Sequence, residues 1–595
     1  MQHVSQAWLD NQQKTLVNDG FVEVSLSVAD PDSVADASSE DNGAIYISDS
    51  SVLVSEVDKD VIPYITLEQN IWLLDGSMKM IPESDFGDIG YVGDAISDNE
   101  GYFSDGTPMI TVSFTKVHEN LIPGITIKWG TAYNEFASDF TVIVYNGANV
   151  IAEKTITGNT LVTSVVEMDI VDYDKIEIRI LKWCLPDHRP RIEEIFVGIE
   201  KVYSRQQLFK YHHTQSADPI SATLPKSEVT FSVDNRDNTY NPHNPVGLTK
   251  YLMERQEIRS RYGFRMDDDS VEWIPGGIFH LSEWDSDQNG ITASFKARDL
   301  LEYMDATFYE GKYSSVGTNL YALAEQVILK ANLPLNSDGS LKWHIDESLK
   351  NITTVAPLPV DTLANCLQLI ANAGGCVLYQ DRSGVLRMHP MSYQVSDYEI
   401  SLYNSYKKSE LSLSKPLKQV EVEVYSYFSG DSVELYKGVL QLSGRTEITV
   451  VYGEDALNPT ASVSGGTLVS ANYYTRACVL VIEANGEATV TITGTALKNS
   501  TSDVIIPSDK TGEVVSVSNP LITDRARATA VGTLAEAYYR NRRTLNSSWR
   551  VDPRVDVLDV VKNTNEYGQN NMLLTSVAFD YAGAFHGTAE GRVVV

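Results

Sequence analysis

Cysteine is scarce in this chain of 595 residues: Cys184, Cys366, Cys376 and Cys478 are the only four, and they are widely dispersed. A disulfide-stapled secreted scaffold needs dense cysteines and a zinc cluster needs paired C-x-x-C spacings, so both are excluded and buried free thiols are expected. No apolar run approaches the ~20 residues that cross a bilayer. The stretch Met1 to Asp10 has neither the basic nor the apolar region of a secretory leader, so synthesis and folding in a cytoplasm are expected. Basic residues are also short, 47 Lys and Arg against 80 Asp and Glu, for a net charge of −33. Binding nucleic acid through its phosphates requires a clustered basic face, which this balance argues against. An acidic wall would instead repel DNA and let it slide past.

Catalytic signatures are missing too. There is no HExxH, GxSxG or Walker loop, and no GxGxxG after a strand. Carboxylates are too abundant for two neighbours to mark a glycosidase pair. Cys366 falls on the apolar side of a predicted helix and Cys376 opens a predicted strand, so neither reads as a thiol nucleophile served by His389. No enzymatic activity is expected.

What is present is a chain long enough for about three to five domains. Its most informative stretch is 228–246. Val229, Phe231 and Val233 alternate with Thr230 and Ser232, the pattern of a half-buried strand. Asp234, Asn235, Asp237 and Asn238 then offer acceptors to nearby backbone N–H groups, while Pro242 and Pro245 exclude Asn241 and Asn244 from helix. The spacing predicts a rigid corner.

In chain order, residues 5–17 predict an amphipathic helix with Trp8, Leu9 and Leu16 on one side, followed by an alternating strand over Phe21 to Val28. That strand has no partner nearby. Its natural continuations are Ile199 to Tyr203 and the corner strand 228–233, so the intervening residues read as an insertion. Residues 43–198 carry strand patterns at Met109–Phe114, Ile125–Trp129, Phe140–Tyr145, Val162–Ile170, Lys175–Ile180 and Ile192–Ile199, spaced as in a sandwich.

Two loop clusters in this module, Tyr133, Asn134 and Glu135 with Trp129, and Trp183 with Asp187, His188 and Arg189, combine aromatic faces with planar polar groups. Sugar recognition needs that mixture. Trp129 continues the inward series Ile125, Ile127 and reads as core; the Asp187–Arg189 loop reads equally as plain surface or as a ligand contact. Glu193 or Glu194 with loop carbonyls is the candidate for calcium, which takes oxygen ligands.

Further on, Thr318–Asn332 predicts a helix burying Leu320, Leu323, Ala324, Val327 and Ile328, with Pro334 beyond its end. Asp361–Ala373 predicts a second, capped by Asp361 and stopped by Gly374 and Gly375, and a hairpin follows over Cys376–Met388 around Asp381 to Gly384. Short strands are predicted at 419–425, 434–440 and 447–452, and at 478–483 and 487–492 inside a Ser/Thr/Gly-rich excursion. Thr523–Arg543 predicts a helix with Ala526, Ala530, Leu534, Ala537 and Tyr538 inward, and strands return at 545–551, 556–561 and 571–587.

The ordered phrases "SVDN…YNP…RQEIRSRYGF…GGIFHLSEW…GITASFKARDLLEYM" resemble the first domain of tail-hub proteins of bacteriophages, siphophages and prophages included, and of related contractile injection machines. The ending "DPRVDVLDVV…MLLTSVAFDYAGAFHGTAEGR" resembles the last strands of a second hub β-domain. The phrases "ITLEQNIWLLDG", "LIPGITIKWGTAYNEFASDFTVIVYNG" and "YDKIEIRILKWCLPDHRPRIEEIFVG" resemble discoidin-like, galactose-binding-type jelly rolls, which hold ligands on loops at one end and commonly a calcium ion.

The resemblance implies a multidomain, mainly β protein. It comprises hub β-barrel-like domain 1 (1–42 with 199–305), an inserted jelly-roll β-sandwich (43–198), a small α+β domain (306–399), hub β-domain 2 (400–452 with 517–595) and a small β insertion (453–516). It further implies a virion tail-tip or baseplate-hub component, a homotrimeric ring of six β-domains beneath the tail tube. Its partners would be tube, distal-tail, tape-measure and fibre proteins, with DNA passing through the lumen and the jelly roll touching host glycan or a baseplate neighbour. Asp234, Asn235, Asn241 and Pro242 would then shape an assembly surface. A host-recognition carbohydrate-binding adhesin and a tail-associated cell-wall hydrolase are the alternative readings.

Overall fold

The computed structural model describes residues 1–54, 63–66, 68, 78, 89–104, 106–286, 290–333, 342–566 and 568–594. Most of the phrase "ITLEQNIWLLDG" and Pro334 lie outside the described residues. Strands make up 53% of the chain and helices 14%, which makes it a multidomain, mainly β protein.

Strand Gly20–Ala29 buries Val22, Val24, Leu26 and Val28 on one face, as its alternation dictates. It pairs antiparallel with Gly198–Ser204, Val28 opposite Ile199 and Ala29 opposite Gly198. The chain therefore leaves the sheet at Ala29, not near residue 42, and re-enters one strand over, so everything between is an excursion. Ser38–Asp41, expected in hub domain 1, pairs instead with Met109–His118 of the excursion. From Gly198–Ser204 and Gly20–Ala29 the sheet continues through Glu257–Arg265, Val271–Ser286, Thr292–Arg298, the corner strand Lys226–Asp234 and Leu208–Ser216.

It does not stop there. Leu208–Ser216 also pairs with Gly568–Tyr581, Tyr211 opposite Tyr581 and Gln215 opposite Val577. Through this seam the order runs on to Phe585–Val594, Arg543–Trp549 and the edge strand Glu410–Leu413, with Val560–Asn565 and Val395–Ile400 to one side. The strands expected of two hub β-domains thus meet in one 13-stranded sheet over one core.

Aromatic rings close the seam from both halves: Phe579 lies 5.7 Å from Tyr262 and 5.9 Å from His213, and Phe585 lies 5.8 Å from Tyr262. The buried Arg382, in the turn of the predicted hairpin, reaches across it. Its guanidinium donates to the carbonyls of Val555 at 2.8 Å and Pro275 at 3.0 Å and pairs with Asp556.

Helix α1 (Gln6–Gln13) is capped by Ser5, whose Oγ accepts from Trp8 N–H at 3.2 Å. It ends before Leu16, which is exposed, so the expected three-residue stripe reduces to Trp8 in the core. A short second helix, α2 (Pro31–Asp36), opens the excursion.

The excursion is an antiparallel β-sandwich. A five-stranded sheet, in the order Ser38–Asp41, Met109–His118, Tyr173–Trp183, Ala137–Asn146, Asn149–Ile156, faces a three-stranded one, Glu194–Phe196, Ile122–Lys128, Thr163–Ile170. Ile110, Ile125, Ile127, Phe140 and Ile178 fill the space between. The strand predicted over 192–199 is broken into Arg191–Ile192, Glu194–Phe196 and the returning Gly198–Ser204. Thr126 Oγ1 donates to the Gly198 carbonyl at 3.0 Å, and Lys250 pairs with Asp169 at 3.0 Å, tying sandwich to sheet.

Helix α3 (Leu320–Ala331) buries the five predicted residues and ends at Asn332 in the left-handed region. Helix α4 (Leu363–Gly374) is capped by Thr362, not Asp361: Thr362 Oγ1 accepts from Asn365 N–H, while Asp361 binds the Asn365 side chain. Gly375, at φ +62°, closes it as predicted.

The short strands predicted from 419 to 452 and from 478 to 492 are two long ones, Leu417–Val451 and Ala477–Pro507, paired from Gln419–Pro507 to Val451–Ala477. Gly430 and Asp431 fall in a bulge, which bends the ladder without ending it. The distal ribbon has its own core around Leu435, Leu480, Ile482, Val490 and Ile492.

Its base packs on helix α5 (Arg525–Tyr539), where Ala528, Val531, Gly532, Ala535 and Tyr538 are buried. Only Tyr538 of the predicted face is among them, and Leu534 is exposed. Gly532 sets the contact: a Cβ there would lie 2.7 Å from Ile506 and 2.9 Å from Val422.

His213 lies wholly inside the seam, its Nδ1 2.7 Å from the Tyr262 hydroxyl and Nε2 3.2 Å from Ser227. Burial, with the Arg382 charge nearby, holds its pKa well below the usual imidazole value. The unfolded chain therefore takes up a proton that the native state refuses as pH falls below ~6.5. Native stability is expected to drop by up to ~2 kcal/mol between pH 6.5 and 5 on account of this residue alone. Urea melts at both pH values check it, and His213→Gln should flatten the difference by that amount.

Candidate functional site

The loop end of the sandwich gathers most of the predicted ligand residues. After strand Ile122–Lys128 a single turn, Thr131–Tyr133, is closed by Asn134 at φ +54°, leaving Asn134 exposed and turning Glu135 inward. Trp183 ends strand Tyr173–Trp183, and its Nε1 donates to Glu135 Oε2 at 2.8 Å. His188 Nε2 lies 3.7 Å from Glu135 Oε1. The two predicted loop clusters do meet.

They meet around a residue the sequence reading passed over, Arg191. Its guanidinium forks onto both oxygens of Glu68 at 2.7 and 2.9 Å, donates to Glu135 at 3.1 Å, and lies 4.8 Å from the centre of the Tyr133 ring. Tyr133 O–H donates to the Tyr64 carbonyl at 2.7 Å. Arg189 N–H donates to Glu68 at 2.9 Å, and the Arg189 guanidinium donates to the carbonyls of Gly93 and Asp94.

The available signal was a charged residue between Pro190 and Ile192, beside an inward-facing position. Two carboxylates share this one buried guanidinium, and desolvation raises the Glu135 carboxyl above its ordinary range.

This geometry changes the roles of the candidates. Trp183 and Trp129 are both fully buried, the latter donating from Nε1 to Ser164 Oγ at 2.8 Å, so neither offers a ring face to a sugar. The expected Trp183 platform is a core contact, because its indole N–H is needed to satisfy Glu135. Tyr133, Glu135 and His188 serve the same internal network. Asp187, exposed at φ +57°, Asn134 and the half-buried Arg189 remain at the surface.

The calcium candidates are likewise engaged. Glu193 accepts from the N–H groups of Thr131 and Ala132 at 2.8 and 3.4 Å and from the Thr131 hydroxyl, and Glu194 pairs with Lys128 at 2.7 Å. Oxygens facing N–H, O–H and ammonium donors do not fit a calcium ion. Among the described residues no group of three or more His, Cys, Asp or Glu is arranged to hold a metal.

The corner is a staircase of turns. The N–H of Asn238 donates to the carbonyl of Asn235, Asn241 to Asn238, Asn244 to Asn241 and Gly247 to Asn244, all between 2.9 and 3.1 Å. Asparagine at every third position, a periodicity plain in the sequence, matches this three-residue step. Asn235 is fully buried: its Oδ1 accepts from Tyr240 N–H at 2.8 Å and its Nδ2 donates to Ser286 at 2.9 Å. Asp234 accepts from Arg236. Asn241 is half-buried and Pro242 exposed, so the outer steps of the staircase face solvent.

The buried thiols of Cys366 and Cys376 donate to the carbonyls of Pro359 and Gly374, each at 3.7 Å. Burial pushes Cys366 and Cys376 up to about 12, which keeps both as neutral thiols at physiological pH.

Replacing Arg191 with Met leaves Glu68 and Glu135 buried without their shared cation, and is expected to lower stability by about 3–5 kcal/mol. Combining it with Glu68→Gln and Glu135→Gln should restore a substantial part. Urea unfolding of the single and triple variants measures both.

No family model matches the chain, and no curated protein does. Among solved structures it is similar to a 43 kDa tail protein of prophage MuSo2 from Shewanella oneidensis, at 11% identity and a TM-score of 0.37, over 66% of this chain and 94% of that one. It is also similar to the tail protein from Neisseria meningitidis MC58 (9%, TM-score 0.39, 66% and 93%) and to prophage tail protein gp18 from Listeria monocytogenes EGD-e (10%, TM-score 0.35, 66% and 91%). All three are tail proteins.

Proposed function

We propose that the chain is a structural component of a phage tail tip or baseplate hub. The observation that carries this reading is the convergence of the hub-like phrases. They lie about 250 residues apart in the sequence, yet the strands they encode join one sheet across the Leu208–Ser216 and Gly568–Tyr581 seam. Three copies would give a ring of six β-units beneath a tail tube, in contact with tube, distal-tail, tape-measure and fibre proteins. The acidic balance of the chain suits a wall past which DNA slides.

The corner at 234–242 shapes an assembly surface in this reading. Its stiffness is a prerequisite, since a preorganised loop loses little entropy on docking. The sandwich projects outward and meets host glycan or a baseplate neighbour through the surface residues Asn134, Asp187 and Arg189.

Sedimentation equilibrium of the full chain is expected to return three times the protomer mass, and a monomer at micromolar concentration would overturn the ring. Arg in place of Asn241 and Pro242 should shift the chain to monomer without changing its urea midpoint. On a glycan array the full chain is expected to bind selectively and to lose that binding with Asp187→Ala; silence would leave the sandwich a purely architectural role.

A further inference from the structure

The last strand of the large sheet, Glu410–Leu413, pairs on one side with Arg543–Trp549 and, among the described residues, with no strand on the other. Every residue in it is exposed, Leu411 at 55% and Leu413 at 63%. Tyr403, at 98%, and Tyr406, at 57%, extend the apolar band just before it. The opposite end of the sheet differs, because the sandwich abuts Gly198–Ser204 and Thr126 hydrogen-bonds its first carbonyl. An uncovered strand with two leucines standing out is one that folded chains normally shield.

The surroundings of this edge also reverse the charge of the protein. Residues 402–418 carry four lysines against Glu410 alone, and the adjacent turn 540–543 adds three arginines, in a chain of net charge −33. The two segments touch: Ser414 N–H donates to the Arg542 carbonyl at 3.0 Å, and Arg542 Nε donates back to Ser414 at 2.9 Å. Lys407, Lys408, Lys415 and Arg540 have carboxylate partners in Glu410, Glu566, Glu513 and Glu536, whereas Arg542 and Arg543 donate to neutral oxygens of Ser414 and Asn570. Lysines that merely protect an edge would sit on the strand itself, where pairing is blocked; here the strand is apolar and the cations flank it.

We propose that Glu410–Leu413 is an acceptor edge for an extended acidic segment of a second, different polypeptide, which adds as the next strand of the sheet. Main-chain hydrogen bonds supply the attachment, Leu411 and Leu413 cover the partner's apolar side chains, and the flanking cations select acidic residues. This proposal does not depend on the tail reading.

Hydrogen exchange of the full chain with a short peptide of alternating valine and glutamate tests it. Saturable slowing of the amides at 410–415 is expected. A peptide with lysine in place of glutamate should bind about tenfold more weakly or worse. Leu411→Lys with Leu413→Lys, at exposed positions and so with an unchanged urea midpoint, should abolish the protection. No slowing at 410–415, or equal slowing by both peptides, overturns the proposal. So does protection without peptide that vanishes on dilution or in the double lysine variant, which would make the edge a contact between copies of this chain.

Discussion

Pairing of Leu208–Ser216 with Gly568–Tyr581 brings together residues more than 350 positions apart, and the rest of the molecule is arranged around that seam. Backbone hydrogen bonds hold it at the surface, and rings from both halves, Tyr211, Tyr262, Phe579 and Phe585, exclude water beneath it. Arg382 is inserted from the side. It is buried, its donors are taken up by carbonyls and Asp556, and it lies 5.5 Å from the centre of the Tyr262 ring. Through this one side chain the small α+β unit is clamped to both groups of sheet strands, at the desolvation cost that makes an unpaired buried cation so unfavourable.

A second buried cation plays a comparable part in the sandwich. Arg191 gathers Glu68, Glu135 and, through them, Trp183 and Arg189, so the loops that looked like a binding rim are held from inside. The consequence for function is a division of labour. Aromatic and acidic residues fix the loop ends, and only Asn134, Asp187 and part of Arg189 are left to face a partner. The corner at 234–247 obeys the same logic with neutral groups, since Asn235 is spent on internal hydrogen bonds while Pro242 faces out.

Much of the fold was legible because period-two alternation survives in its strands. Val22 to Val28 read as one face, and their return partner at 199–203 was identifiable across a long insertion. The buried face of helix α3 was legible because Leu320, Leu323, Ala324, Val327 and Ile328 form one stripe. Helix α5 was not: it is rich in alanine on several sides, so composition offers little contrast, and the buried face was chosen by how closely Val422 and Ile506 approach Gly532. The long ribbon was read as short strands where turn-type residues interrupt it: Gly430 and Asp431 fall in a bulge that does not end the ladder, and Gly444 and Gly486 each pair in unbroken register.

The sequence by itself determined which segments alternate, that the excursion returns near residue 199, and that the loop after the corner strand is stiff. Those are local properties, set by backbone sterics and the spacing of apolar residues. Only the tertiary structure decided that two groups of strands make one sheet, that Trp183 is spent on Glu135, and that a basic, apolar edge stands uncovered in an acidic protein. Each of these depends on groups far apart in the chain that become neighbours only after folding. Whether a charge or an indole is available to a partner is settled by which of those neighbours has already satisfied it.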